Sequence, residues 1–542
     1  MDPQTAQPQP SRFSGRKILI GICSLLAIAV LLLIALILVK NSKSNKVSTE
    51  VNTGLARDLI TIGQSVPVTG VFPNSSDEGH SVEFNYNIFD GLTRFINGKV
   101  SPALATSWIN PDQTTWRFTL RKGVTFHNGD PFTAADVKFS IDQALNQKNA
   151  WPDSSNLSTI KSVEVVDNFT VDIKTNTPDP VLLNRLPYAY IVSEKQYKSK
   201  SAAESAVGTG PYKFVSLDDK QAVLEANSSY YLGTPKVKKI VLKFFPGTTT
   251  DDQLAQALRK GEIDLVSLNS KTLTQTLKSD FQIKEAPSLI MRALYLDTRE
   301  KSPFVNKTPN PLANKLVRQA IYKAIDINQV IKEAGIPAEP ASQLVPESVF
   351  GYNPKITRLN RSVEAAKSLM KQAGLESGFS VTLDAINTPE NVAVAGVIAK
   401  NLSDINISVK VNKLDPVDQS WVKLTSGDTS AFIMGVSAET LDSGEIFTDG
   451  LHTTTATLGA SNFFNYSNSE MDKLIEGAAS TFEPKTRLPK LEELMTQAME
   501  ELPILPLYNQ FSYTVIRNNF DWTPRVGMVN YSEITGRGIT TK

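Results

Sequence analysis

His127 stands three residues before Asp130 in the stretch "LRKGVTFHNGDPFTAADVKFSIDQAL", Leu120 to Leu145. A histidine beside a carboxylate is the pair from which a proton relay is built. The chain has two other histidines, His80 and His452, and neither falls in a recognisable motif. There is no H-E-x-x-H, no G-x-S-x-G and no phosphate-cradling G-x-x-x-x-G-K-[ST]. Acids number 55, enough for the paired carboxylates of glycoside hydrolysis, yet spacing singles out no pair. The one cysteine, Cys23, lies in an apolar run, so the body of the chain is left without disulfides or thiolate chemistry. Three scattered histidines make a poor transition-metal set, and no metal or cofactor is expected.

The elements around His127 explain it without catalysis. Trp116, Phe118 and Leu120 alternate with Arg117, Thr119 and Arg121, the pattern of a strand with one buried face. Lys122-Gly123 interrupts the alternation, which Val124 and Phe126 resume. Asn128-Gly129 is a turn signal, with Pro131 after it. Thr133 then precedes Asp136 by three residues, the spacing of a capped first helical turn. Val137, Ile141, Ala144 and Leu145 follow at helical spacing. Strand, turn and capped helix use every residue, so His127 is read as stabilising a turn.

Composition frames the rest. A chain of 542 residues exceeds one compact core, so two or three domains are expected. Hydrophobic residues at 41% and charged residues at 20% are ordinary globular values. Net charge is +1 with the bases spread along the chain, which argues against nucleic acid. Ile18 to Val39 is a run of 22 uncharged residues between Arg12, Arg16 and Lys17 on one side and Lys40, Lys43 and Lys46 on the other. At about 1.5 Å per residue it spans a bilayer core of ~30 Å. "ALILVKNSKSNK" offers no small-x-small cleavage site, so the run is expected to remain as an anchor helix. Asn41 to Gly54 is a polar tether reaching about 20 Å as a flexible coil.

Apolar stripes mark further helices. Leu316, Val317, Ala320, Ile321, Ala324 and Ile325 form one, with Arg318 and Lys323 expected outside it. Val363, Ala366, Met370 and Ala373 form another, ended by Gly374. Leu474 to Ala478 and Leu488 to Met495 supply two more, and Val237 to Phe245 and Ile405 to Leu414 read as strands. The alternation predicts an α/β body.

"PALATSW…TTWRFTLRKGVTFHNGDPFTAADVKFSIDQAL", Pro102 to Leu145, resembles the signature of the family 5 extracellular solute-binding proteins, the oligopeptide and dipeptide receptors of ABC importers. "NIFDGLTRF" (Asn87 to Phe95), "VGTGPYKF" (Val207 to Phe214), "NSSYYLGTPKVKKIVLKFF" (Asn227 to Phe245), "LVRQAIYKAIDINQVI" (Leu316 to Ile331), "FNYSNSEMDKLIEGA" and "LPILPLYN" resemble further blocks in the family's order. The likeness covers roughly residues 57–525.

It implies a periplasmic-binding-protein-like two-lobed fold of type II, in the peptide-receptor cluster with an extra small domain, after one N-terminal transmembrane helix. The expected division is a cytoplasmic tail 1–17, an anchor 18–39, a tether 40–55 and a solute-binding domain 56–542. Lobe I falls near 56–85, 206–286 and 506–542, the small domain near 86–205 and lobe II near 287–505. The family anchors a ligand's amino terminus with an aspartate in a block like G-W-x-A-D-x-x-D/E-P. "MGVSAETLDSGEIF" (Met434 to Phe447) is the matching stretch. There Ser437, Ala438 and Glu439 fall at the anchor, Asp442 at the later acid, Val436 replaces tryptophan and Ser443 replaces proline. Nearby blocks suggest Tyr86 and Tyr508 as cleft residues.

The resemblance implies a monomer that binds a di- or oligopeptide and is not an enzyme. It would be held to the membrane through Ile18–Val39, with the body outside, and would serve an ABC permease and ATPase. Relatives of this kind also take nickel chelates, haem, opines or oligosaccharides, so the fold leaves the solute open. The alternatives are a surface sensor that keeps the fold without an importer and an anchored hydrolase.

Overall fold

The computed structural model describes residues 58–72, 79–96, 98–146, 157–199, 206–245, 250–415, 417–525 and 531–536. The apolar run Ile18 to Val39, the tail before it and the tether lie outside the described residues. Among the described residues no helix is long and apolar enough to cross a membrane.

An eleven-stranded mixed sheet runs through the body. At one end Leu59–Gln64 lies parallel to both Lys239–Phe244 and Leu265–Leu268, and Gln221–Ala226 and Tyr212–Leu217 extend the edge antiparallel. At the other end Phe379–Ile386 lies parallel to both Ile407–Leu414 and Ala431–Ser437. Parallel neighbours need long crossovers, and the helices Asp251–Lys260 and Pro389–Ser403 supply two of them.

Two long antiparallel strands, Phe281–Leu296 and Ile504–Arg517, belong to both ends. Phe281 to Pro287 pairs with Phe511 to Arg517, and Met291 to Tyr295 pairs with Ile504 to Asn509. The register slips between these stretches, at Pro287/Met291, and again within the second, at Arg292/Ala293. Extra residues on one strand bend a ribbon and raise its twist, so the crossing is the place where the two ends of the sheet change direction.

A separate four-stranded antiparallel sheet, in the order Ala105–Asp112, Thr115–Leu120, Thr170–Thr175, Ile160–Asp167, carries the helix Ala134–Ala144. The alternation read from sequence holds: Trp116, Phe118 and Leu120 are buried while Arg117 and Thr119 are exposed. Val124 and Phe126 are also buried, but they lie in a loop outside any strand. Asp136 accepts the Thr133 backbone N–H at 2.9 Å, tying off the helix start. His127 Nε2 lies 3.0 Å from the Gly210 carbonyl, and its backbone N–H donates to Gly208 O at 2.9 Å. Burial pushes its imidazole down to about 4, so at neutral pH the ring is an uncharged donor to Gly210. Asp130 pairs with Lys195 Nζ at 2.7 Å rather than with His127. The stretch is architecture.

Gly208 and Gly210 explain the "VGTGPYKF" block. A Cβ on Gly208 would sit 2.0 Å from the Ile88 carbonyl oxygen, and one on Gly210 would sit 2.7 Å from the same peptide group. Gly210 N–H donates to Ile88 O at 2.9 Å. No other side chain permits that approach.

The helices fall close to their predicted places, at Lys315–Ala324, Val363–Gln372, Ser469–Ala479 and Pro484–Glu501. One expectation fails. Arg318 is buried, donating to the carbonyls of Leu312, Ala313 and Glu501. It ties the end of one helix to the start of another, a task that helical periodicity does not encode. Leu294, Leu383 and Ile433 pack against the helices Lys315–Ala324 and Pro389–Ser403 on one face. Ala293, Tyr295 and Phe432 pack against Ser469–Ala479 and Pro484–Glu501 on the other.

Candidate ligand-binding site

The strand Ala431–Ser437 delivers the anchor-like loop. Ser437 is the register partner of Ile290, and Gly435 that of Arg292, so the strand runs directly beside the crossing. Ala438 is buried beyond the strand end. Glu439 keeps an exposed side chain, yet the protein crowded around it pushes its carboxyl above the ordinary carboxylate value. Its carbonyl accepts the Tyr188 hydroxyl at 2.8 Å, and the next carbonyl, Thr440 O, accepts Asn184 Nδ2 at 2.6 Å. Leu441 has a left-handed φ of 57° and is buried with Val82, Phe95 and Tyr188. A non-glycine residue there costs of order 1 kcal/mol, which the apolar contacts offset. The loop therefore reaches onto Val82, Phe95, Asn184 and Tyr188, far away in sequence.

Asp442 does something else. Both of its oxygens take Arg487, at 2.6 and 2.9 Å, and Oδ1 also accepts Gly444 N–H at 2.8 Å. The pair is almost fully buried, with side chains 4% and 8% exposed. This carboxylate spends three of its roughly four acceptor sites inside the protein, so the structure gives Asp442 an internal ion pair. Tyr86 is also buried, its ring 5.9 Å from the Arg94 guanidinium carbon. Arg94 itself faces Asp90 at 3.9 Å and donates to Tyr230. Tyr86 thus belongs to an internal polar cluster.

Tyr508 marks a different place. Its ring is fully buried, and its hydroxyl donates to Glu390 Oε1 at 2.8 Å. Burial and then the Glu390 charge push the phenol well above its ordinary value. Gln510 Nε2 donates to the same Glu390 oxygen at 2.8 Å, and Arg292 Nε lies 3.3 Å from it. Arg292, Glu390 and Gln510 line a cavity of about 310 Å³ together with Asn269, Ser288 and Ser512. Its walls come from both ends of the sheet: Asn269 just follows Leu265–Leu268, and Glu390 lies in the first turn after Phe379–Ile386. The C-terminal ends of parallel strands are where open α/β sheets bind ligands.

The structure thus keeps Ser437, Ala438 and Glu439 together at the strand end, sets Tyr508 against Glu390 of the cavity at the strand crossing, pairs Asp442 with Arg487, and buries Tyr86 beside Arg94 with its hydroxyl unpartnered. Sequence reasoning missed Arg292, Glu390 and Gln510. A single arginine inside the apolar run "SLIMRALYL" was the available signal. Among the described residues no group of three His, Cys, Asp or Glu is placed to hold a metal ion.

Known proteins resemble this chain in sequence and in overall fold. The profile of the bacterial extracellular solute-binding proteins, family 5, matches residues 99–457. Haem-binding protein A of Haemophilus influenzae is 26% identical over 534 residues, covering 90% of this chain and 93% of its own. The dipeptide-binding protein of Escherichia coli is 25% identical over 475 residues, covering 79% and 85%. Among solved structures, the ABC transporter-associated periplasmic binding protein DppA of Helicobacter pylori, in complex with the peptide STSA, superposes with a TM-score of 0.72 at 24% identity. That match covers 88% of this chain and 98% of the other. HbpA2 of Haemophilus parasuis gives a TM-score of 0.77 at 21% identity, covering 88% and 100%. The fold is accordingly the mixed α/β, two-lobed, periplasmic-binding-protein-like one. With a profile match over residues 99–457, most of the chain, the chain belongs to the bacterial extracellular solute-binding proteins, family 5.

Proposed function

We propose that the chain is a membrane-tethered receptor that closes its two lobes on a peptide and passes it to an ABC permease. In this reading Ile18–Val39 anchors the chain N-terminus inward, with the body outside the cytoplasmic membrane. Lobe I is 56–85, 206–286 and 506–542, the small domain 86–205 and lobe II 287–505. The observation that carries the reading is the Glu439 loop, which continues the strand beside Arg292 and hydrogen-bonds to Tyr188 and Asn184 of the small domain. A ligand amine on Glu439 and a ligand carboxylate near Arg292 would use opposite charges on neighbouring strands. Closure is then a hinge motion at the register slips, favoured by contacts made only in the closed state. The named peptide and dipeptide relatives support this solute class, while the haem-binding relative shows that the scaffold admits others.

Native mass spectrometry of the full chain in detergent, before and after unfolding and dialysis, tests it. A family of peptide masses lost on unfolding is the expected result, and Glu439→Ala should abolish their retention. Retention of non-peptide masses alone would overturn the peptide assignment. For topology, a reporter active only in the cytoplasm should give no signal when fused to the C-terminus.

A further inference from the structure

A second cavity, of about 500 Å³, lies in the seam between the helix Leu182–Arg185 and the segment Gly444–Asp449. It shares no lining residue with the hinge cavity. The seam is held by the bonds from Asn184 and Tyr188 to the loop carbonyls. Its lining carries charge at Asp179, Arg185, Glu445 and Asp449 and apolar side chains at Phe447, Leu458 and Leu494.

Arg185 is the anomaly. Its side chain is only 8% exposed, and its Nε has no hydrogen-bond partner. Asp179 Oδ2, at 3.8 Å, is too far for a hydrogen bond and already accepts Thr159 Oγ1 at 2.7 Å, while Oδ1 accepts Val181 N–H at 2.9 Å. Glu445 Oε2 is occupied by the Thr440 hydroxyl at 2.7 Å, and Arg487, which also lines the cavity, is locked to Asp442. The Asp449 carboxylate receives the Thr448 hydroxyl, at 3.3 Å. Burial holds the Asp449 carboxyl above its ordinary value, against the pull of Arg185. A buried guanidinium short of acceptors is costly to leave so. It faces open space beside apolar side chains.

We propose that this cavity is a second ligand site, taking a small organic carboxylate with an apolar body, its carboxylate on Arg185 and, in an apolar α-amino acid, its ammonium group on Asp449. The site goes beyond the interlobe reading and stands whatever the hinge cavity binds. Guanidinium and carboxylate form paired, charge-assisted hydrogen bonds, and Phe447, Leu458 and Leu494 would cover the hydrocarbon part. Because Arg185 and Asp449 come from opposite sides of the seam, an occupant held by both also bridges them.

Isothermal titration of the full chain in detergent with L-leucine, 4-methylpentanoate and 3-methylbutylamine tests the assignment. The two carboxylates should bind and the amine should not. Arg185→Gln should weaken both by roughly tenfold or more, the size of a hydrogen bond to a charged group, while Glu439→Ala leaves both unchanged. Leu458→Trp, which fills the cavity from a half-buried wall, should abolish both with Arg185 intact, and it decides the matter alone if Arg185→Gln does not fold. Absence of heat with both carboxylates, binding that survives both cavity variants, or binding lost on Glu439→Ala would each overturn the proposal.

Discussion

At the scale of single residues, ionisable side chains divide by what surrounds them. Asp442 and Arg487 neutralise each other inside the protein. Removing one partner strands the other, so Arg487→Met should cost about 3–5 kcal/mol in denaturant unfolding. The double change Asp442→Leu with Arg487→Met should recover much of that loss. Glu83 behaves differently. Burial lifts its carboxyl from 4.5 to about 7, beside a small cavity lined by Gln64, Ser267 and Tyr531. The native state then holds this proton more tightly than the unfolded chain. Glu83 contributes stability that is fully present below pH 4.5 and is lost as pH rises to about 7. Glu83→Gln should therefore be more stable than the parent above this window and equal to it below, read from unfolding midpoints across pH. Such roles were only partly legible in the sequence. The block match pointed to Glu439 and Asp442 alike, but it could not show that Asp442 is paired with an arginine 45 positions away.

Elements were easier to read than their partners. Alternation at Trp116 to Leu120 and the stripes at 363–373 and 316–325 gave strand and helices, because burial on one face imposes a period on the sequence. What periodicity omits is contact between backbones. Gly208 and Gly210 lie against the Ile88 peptide at distances no Cβ tolerates. Gly208→Ala should lower the thermal midpoint markedly, since the obstructing atom is backbone and cannot rotate away. Arg318 was misread for a related reason: its partners are carbonyls at the ends of other helices, and a stripe drawn on one helix does not register them.

For the whole molecule, the proposed closure of the lobes would rest on contacts across the seam. Tyr188 and Asn184 reach the Glu439 loop through side chains onto carbonyls, and Leu441 inserts among Val82, Phe95 and Tyr188. Tyr188→Phe removes one such bond at constant shape. It should cost roughly 0.5–1.5 kcal/mol of closure, seen as a two- to tenfold weaker ligand affinity and a larger radius of gyration in solution scattering. The fold class was legible because its signature blocks fall in sheet and helix. The hinge cavity was not, because Arg292, Glu390 and Gln510 come from three segments that only the tertiary structure brings together.

The two shared strands also impose an order on biosynthesis. Phe281–Leu296 leaves the ribosome about two hundred residues before Ile504–Arg517, its partner at both ends of the sheet. At about 5–20 residues per second this is a wait of roughly 10–40 s. Throughout it, Leu265–Leu268 and much of Phe281–Leu296 present unpaired edges, the template on which chains aggregate. Until the last long strand arrives these edges can pair only with other chains, and a stop codon before Ile504 would leave Leu265–Leu268 and Phe281–Leu296 without their shared partner.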